Sequence, residues 1–202
     1  MGILSTTMAI TRYRVEGTLE GAATEAVYRG LTKNAIAEID NETEDRASGW
    51  TAFENPYFPS FEGSSFLFGN LFLFSLRIDR KSVSPNLIKK HLTVEAAIRL
   101  AKTKKRFLSK DEKNALKDKV TKDLLVRVPA SPTVYDVLWN YEAASLLFLT
   151  TLKSANNELE TLFRRSFNLA LIRIFPYTAA DLISGLSDSD RDVLIGLSPT
   201  QF

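Results

Sequence analysis

The residues most able to do chemistry are carboxylates, and the first to consider is Asp111-Glu112-Lys113. A metal-dependent nuclease needs two or three carboxylates converging on a divalent cation, commonly with a lysine nearby. Here they are consecutive in a segment that opens a helix, so the side chains point in different directions. Ser109 lies three residues before Glu112, which gives Glu112 a reciprocal capping role instead. Glu158-Leu159-Glu160 reads as a solvated helix face, and Asp188 and Asp190 as charge favouring a helix N-terminus. The single histidine, His91, reads as a surface residue of a helix, and with no cysteine it cannot build a Cys/His or multi-His site. No phosphate-binding loop or nucleophile elbow is present. The expectation is therefore no catalytic residue, no metal site and no cofactor, with a metal-dependent nuclease kept as a third reading.

Positive charge is the stronger signal. Between Arg99 and Pro129 there are eleven Lys or Arg residues against four acids, a net of +7 in a chain of net +2, so the remainder is acidic, at −5. The stretch from Lys102 to Lys110 holds five basic residues and no acid. A face built only for solubility would mix both signs, as happens at Asp118 and Lys122. Lys and Arg on flexible stems suit phosphates, and no helix offers Asn, Gln and Arg together to base edges. The expected contacts to double-stranded DNA are Lys89, Lys90, Arg99, Lys102, Lys104, Lys105, Arg106, Lys110, Lys113 and Lys117. No carboxylate lies within four positions of Lys104-Lys105-Arg106, so that cluster is expected to be free of ion pairs and to carry the densest contact.

Two helices must position this charge. Ser84-Pro85 precedes "NLIKKHLTVEAAIRLA", whose Leu87, Ile88, Leu92, Ala96, Ile98 and Leu100 recur at helical spacing. A break over 102–108 leads to a second helix from about Lys110 to Val126, with a narrow apolar stripe of Leu116, Val120, Leu124 and neighbouring Ala115. That stripe needs a partner, either the preceding helix or a second copy, so Leu116, Val120 and Leu124 are the self-association residues and a homodimer is possible. A protein-interaction or self-assembly module without DNA binding is the alternative reading.

Around the hairpin the pattern predicts α+β: a mixed or antiparallel sheet packed with helices, from which the basic helical hairpin protrudes. Strands are expected over 8–16, within 66–78, over 133–140 and 144–151, and over 169–175. Helices are expected over 21–35, from a cap at Ser154 through Phe167, and in two short segments near the C-terminus. Residues 38–59 read as irregular. The expected division is 1–85 and 130–202 as body, the latter with an acidic tail, and 86–129 as hairpin. Trp50 and Trp139 read as core rather than as base-stacking residues. With 13 Phe and 2 Trp among 202 residues the chain can bury a core without disulfides. The longest apolar run, Phe66 to Leu76, is far short of the roughly 20 residues that span a bilayer, so no membrane association is expected. Gly2 with Thr6 meets a loose acylation pattern by chance, and the lack of cysteine fits a reducing, cytoplasmic setting.

In order and in detail the chain resembles the bacterial recombination-associated protein RdgC family. The likeness lies in "RYRVE", Gly49-Trp50, "SPNLIKKHL", the spacing of Lys113, Leu116, Lys117, Asp118 and Val120, "LLVR", and a Trp139-bearing strand followed by a strand and a helix. It covers about residues 8 to 178, as in a shorter, C-terminally reduced member. The resemblance implies duplex DNA binding with little sequence preference, a ring-shaped dimer, a nucleoid location and restraint of the recombinase RecA.

Overall fold

The computed structural model describes residues 6–197, apart from the side chains of Ser64 and Ile183; Gly2 of the acylation pattern lies outside them. The architecture is α+β, with seven strands and six α-helices among the described residues, in the order β1 (Thr11–Glu16), α1 (Ala23–Lys33), β2 (Arg46–Ala52), β3 (Leu67–Phe68), β4 (Leu71–Arg80), α2 (Pro85–Thr103), α3 (Lys110–Leu125), β5 (Ser131–Asn140), β6 (Ser145–Phe148), α4 (Lys153–Phe167), β7 (Ala170–Ile174), α5 (Pro176–Ser184) and α6 (Asp188–Gly196). The sheet is antiparallel, with strand order β2-β4-β5-β6-β1-β7 and β3 paired to β4. An isolated parallel bridge joins Ala35 with Trp50.

Two compact units divide the chain. The first is Met1–Ala35, Trp50–Leu76 and Val134–Phe202; the second is Ile36–Gly49 and Arg77–Thr133. This differs from the expected three parts, because the hairpin shares its unit with residues 36–49 and the end of β4, which fasten its base. The unit boundaries fall inside β2, β4 and β5.

Alternation along the strands fills the core of the first unit. Tyr13 and Val15 of β1 point inward while Arg12 and Arg14 face water, as a period of two requires. Tyr13 stands opposite Leu146 on one side and Arg173 on the other. Its buried hydroxyl donates to Asn156 Oδ1 at 2.6 Å and Glu160 Oε1 at 3.0 Å, and burial, then the Glu160 carboxylate, pushes the phenol upward. Trp50 and Trp139 are both fully buried, as expected of core residues. Trp139 packs edge-on against Phe163 at 4.9 Å and beside Phe167 at 5.2 Å; Trp50 packs edge-on against Phe74 at 5.0 Å. Such ring pairs add to what their buried area contributes.

Two local expectations are corrected. The stretch 38–59 is not wholly irregular, because β2 lies within it. Its sequence RASGWTA carries one large apolar residue, and what makes it a strand is tertiary: Trp50 is buried and its N–H donates to the Asn34 carbonyl at 2.9 Å. α4 is not capped by Ser154. It starts two residues earlier, at Lys153 after Leu152, whose carbonyl accepts from Asn156 Nδ2 at 2.8 Å.

Candidate nucleic-acid interface

Local sequence builds the hairpin as expected. Ser84 precedes α2 with Pro85 in its first turn, where a missing N–H costs nothing. α2 ends on Lys104, a non-glycine residue in the left-handed conformation at φ 52°, which turns the chain. α3 opens with the reciprocal cap: Glu112 N–H donates to Ser109 Oγ at 3.2 Å and Ser109 N–H to Glu112 Oε2 at 2.9 Å.

Leu116, Val120 and Leu124 are buried within the chain, whereas Ala115 is exposed. The stripe is one residue wide and three long, and α3 packs on α2. Of the two partners the sequence offered, the chain supplies its own, so these three side chains present no free surface to a second copy. The unpartnered apolar residues lie on α2 instead, which has no buried residue at all and leaves Leu87, Val94 and Ile98 at 36%, 52% and 43% exposure.

All ten proposed DNA contacts are exposed. Lys89, Lys90, Arg99 and Lys102 are spread around α2; Lys104, Lys105 and Arg106 form the turn; Lys110, Lys113 and Lys117 recur at three- and four-residue spacing on one side of α3. Lys89 and Lys102 are thirteen residues apart on one helix, about 20 Å along its axis. The structure therefore makes a basic sleeve along the hairpin rather than a single patch.

One member is not free. Lys105 Nζ lies 2.8 Å from Glu112 Oε1, seven residues away, so the expectation that the turn cluster lacks ion pairs fails at Lys105. The turn itself brings them together. The Lys105 ammonium, then the Ser109 N–H, hold the Glu112 carboxyl at about 2. A carboxylate depressed in the folded state stabilises fully above its usual range, near 4.5, and that contribution is lost as pH falls through about 2. Protection factors of the amides in the first turn of α3, taken relative to intrinsic exchange at each pH, should fall as pH drops from about 5 to about 2, and Glu112→Gln should remove most of that fall. An unchanged profile in the variant would mean the cap does not hold the turn.

Sequence reasoning missed the base of the hairpin. Arg77 and Asp79, two apart on β4 and so on one face, form a buried fork: Nε to Oδ1 at 2.8 Å and Nη2 to Oδ2 at 2.6 Å, with Glu38 Oε1 2.9 Å from Nη2. Lys81, also buried, donates to the carbonyls of Glu42 at 2.9 Å and Leu125 at 3.1 Å, which puts a cation at the C-terminal end of α3. Asp40 Oδ1 accepts from Ala130 N–H at 2.7 Å. The signal available in the sequence was charge at period two, Arg77, Asp79 and Lys81, on the strand face where apolar residues would be expected.

Among the described residues no three or more His, Cys, Asp or Glu side chains are grouped so as to hold a metal ion. Nor is any helix among them long and apolar enough to cross a membrane. No curated protein matches the sequence. A family model described as "Putative exonuclease, RdgC" matches residues 9–181, from just before β1 into α5. That span takes in every strand and the whole basic hairpin, and the chain belongs to the recombination-associated RdgC family.

Proposed function

We propose that the protein binds double-stranded DNA without sequence preference and without catalysis, through phosphate contacts from the basic sleeve of α2, the turn and α3, and that it acts on recombination at the nucleoid. The observation that carries this is that nine of the ten exposed cations have no carboxylate partner among the described residues. Charge left unpaired along about 20 Å of helix fits the regular phosphate spacing of a duplex. Three carboxylates support a non-catalytic reading by being committed elsewhere: Asp79 to Arg77, Asp136 to the Ser75 hydroxyl at 2.8 Å, and Glu112 to its cap and Lys105. Restraint of a RecA-type recombinase belongs to the same reading, through occupation of the duplex. The test is a gel shift with Lys102, Lys110, Lys113 and Lys117 replaced by Ala, against two unrelated duplexes, with and without magnesium. Binding should weaken equally for both duplexes with no strand shortening; undiminished binding, or magnesium-dependent loss of DNA, would overturn the proposal.

Self-association is favoured by one observation, the uncovered Leu87, Val94 and Ile98 of α2. At tens of micromolar, sedimentation should show a dimer that Val94→Glu with Ile98→Glu converts to monomer. A wild-type protein that sediments as a monomer would rule it out.

A further inference from the structure

The first unit carries a second basic site, away from the hairpin in sequence. α1 and α4 approach as closely as Gly30 allows: a methyl group there would come within 2.4 Å of the Phe167 ring and 2.8 Å of the Ser166 carbonyl. That contact brings the C-terminal ends of the two helices together around a cleft of about 480 Å³, lined by Arg29, Lys33 and Arg165. An adjoining groove of about 750 Å³ shares Arg165 and Asn168 and adds Arg164.

Cations at helix C-termini commonly just offset the dipole. Here that task is filled by other groups. The Asn34 N–H and Nδ2 both donate to the Gly30 carbonyl, and the Asn168 N–H donates to the Arg164 carbonyl. Arg165 Nε donates to Asn34 Oδ1 at 3.0 Å, while Arg29, Lys33 and Arg164 are exposed and their side chains bond to no partner among the described residues. Two acids line the clefts, Glu20 and Glu160, and Glu160 is held by Arg173 at 2.6 Å. The result is a surplus of unpaired positive charge in two connected clefts.

We infer that the α1–α4 cleft and its adjoining groove form a second phosphate-binding site for the nucleic-acid backbone, with Arg29 and Lys33 of the cleft and Arg164 of the groove as its contacts and Arg165 as the group that Asn34 holds in place. The ligand is a phosphodiester chain rather than a small enclosed anion. The carbonyl ends of both helices disfavour an anion deep in the cleft, whereas flexible cations at its rim can each meet a successive phosphate. The site shares its ligand with the hairpin reading but is tested apart from it.

Fluorescence anisotropy with a random duplex would compare wild type, Arg29→Gln/Lys33→Gln/Arg164→Gln, and Lys110→Gln/Lys113→Gln/Lys117→Gln. Three phosphate contacts at about fivefold each near 150 mM salt predict about a hundredfold loss for the cleft variant, and a salt slope reduced by about 2.7. Full affinity and slope in the cleft variant, with loss in the hairpin variant, would overturn the cleft and leave the hairpin. The converse would do the opposite, and a wild type that fails to bind would overturn both. Acetylation footprinting of the unmutated protein gives a second readout: saturating duplex should shield Lys33. A Lys33 that stays fully reactive, or that millimolar pyrophosphate shields as well as duplex does, would overturn a backbone site.

Discussion

Raising the salt from about 50 to about 200 mM should lower the affinity for duplex DNA by about a thousandfold, if six of the ten hairpin cations meet phosphates. The number follows from counterion release: each neutralised phosphate adds about 0.9 to the slope of log K against log salt, and six give a slope near −5. Six is a modest demand on ten exposed cations of which only Lys105 is ion-paired among the described residues. Geometry limits the number as well. The cations surround α2 instead of sharing one side, so one straight duplex cannot meet all of them. The slope should be nearly the same for any base sequence, because phosphates carry the contact. Titration by anisotropy at four salt concentrations measures it, and a slope flatter than about −2 would leave too few phosphate contacts for this mode of binding.

How much of this was legible in the sequence differs between elements for physical reasons. α3 was readable because its start and its packing are local: Ser109 and Glu112 at capping spacing, then Leu116, Val120 and Leu124 one turn apart. The exposed basic surface was readable for the same reason, since consecutive cations have few ways of being buried. β2 was not, because its strand character comes from the placement of Trp50 and not from the alternation of RASGWTA. The pair Lys105–Glu112 escaped because a left-handed residue, Lys104, folds the chain back and joins residues seven apart. The cleft residues Arg29, Lys33, Arg164 and Arg165 lie on helices more than a hundred residues apart, and only the close approach at Gly30 unites them. The cap at Glu112 was legible because it is local, whereas Glu160, expected on a solvated helix face, is half-buried and accepts from the Tyr13 hydroxyl and Arg173, partners brought to it only by the sheet.

The base of the hairpin carries the largest stability effect. Asp79→Ala should destabilise the protein by about 3–5 kcal/mol, because it removes both oxygens of the fork and leaves the Arg77 guanidinium buried. The Arg77 side chain is 5% exposed and that of Asp79 is 0% exposed, so water cannot replace the lost partner without the strand opening. Glu38, at 61% exposure, reaches only Nη2 and is screened by solvent, so it offsets little of the loss. Replacing both charges at once is a different experiment. Arg77→Met with Asp79→Leu removes the desolvation cost together with the pair, and should restore most of the stability, as buried ion pairs generally contribute less than their breakage costs. Urea denaturation of wild type, single and double variants separates these terms. The single variant should lower the midpoint sharply at an unchanged m-value, and the double should return close to wild type. An Asp79→Ala protein as stable as wild type would mean that the end of β4 does not secure the hairpin. A double variant no better than the single would mean that the shape of the fork, and not its uncompensated charge, holds this part of the fold together.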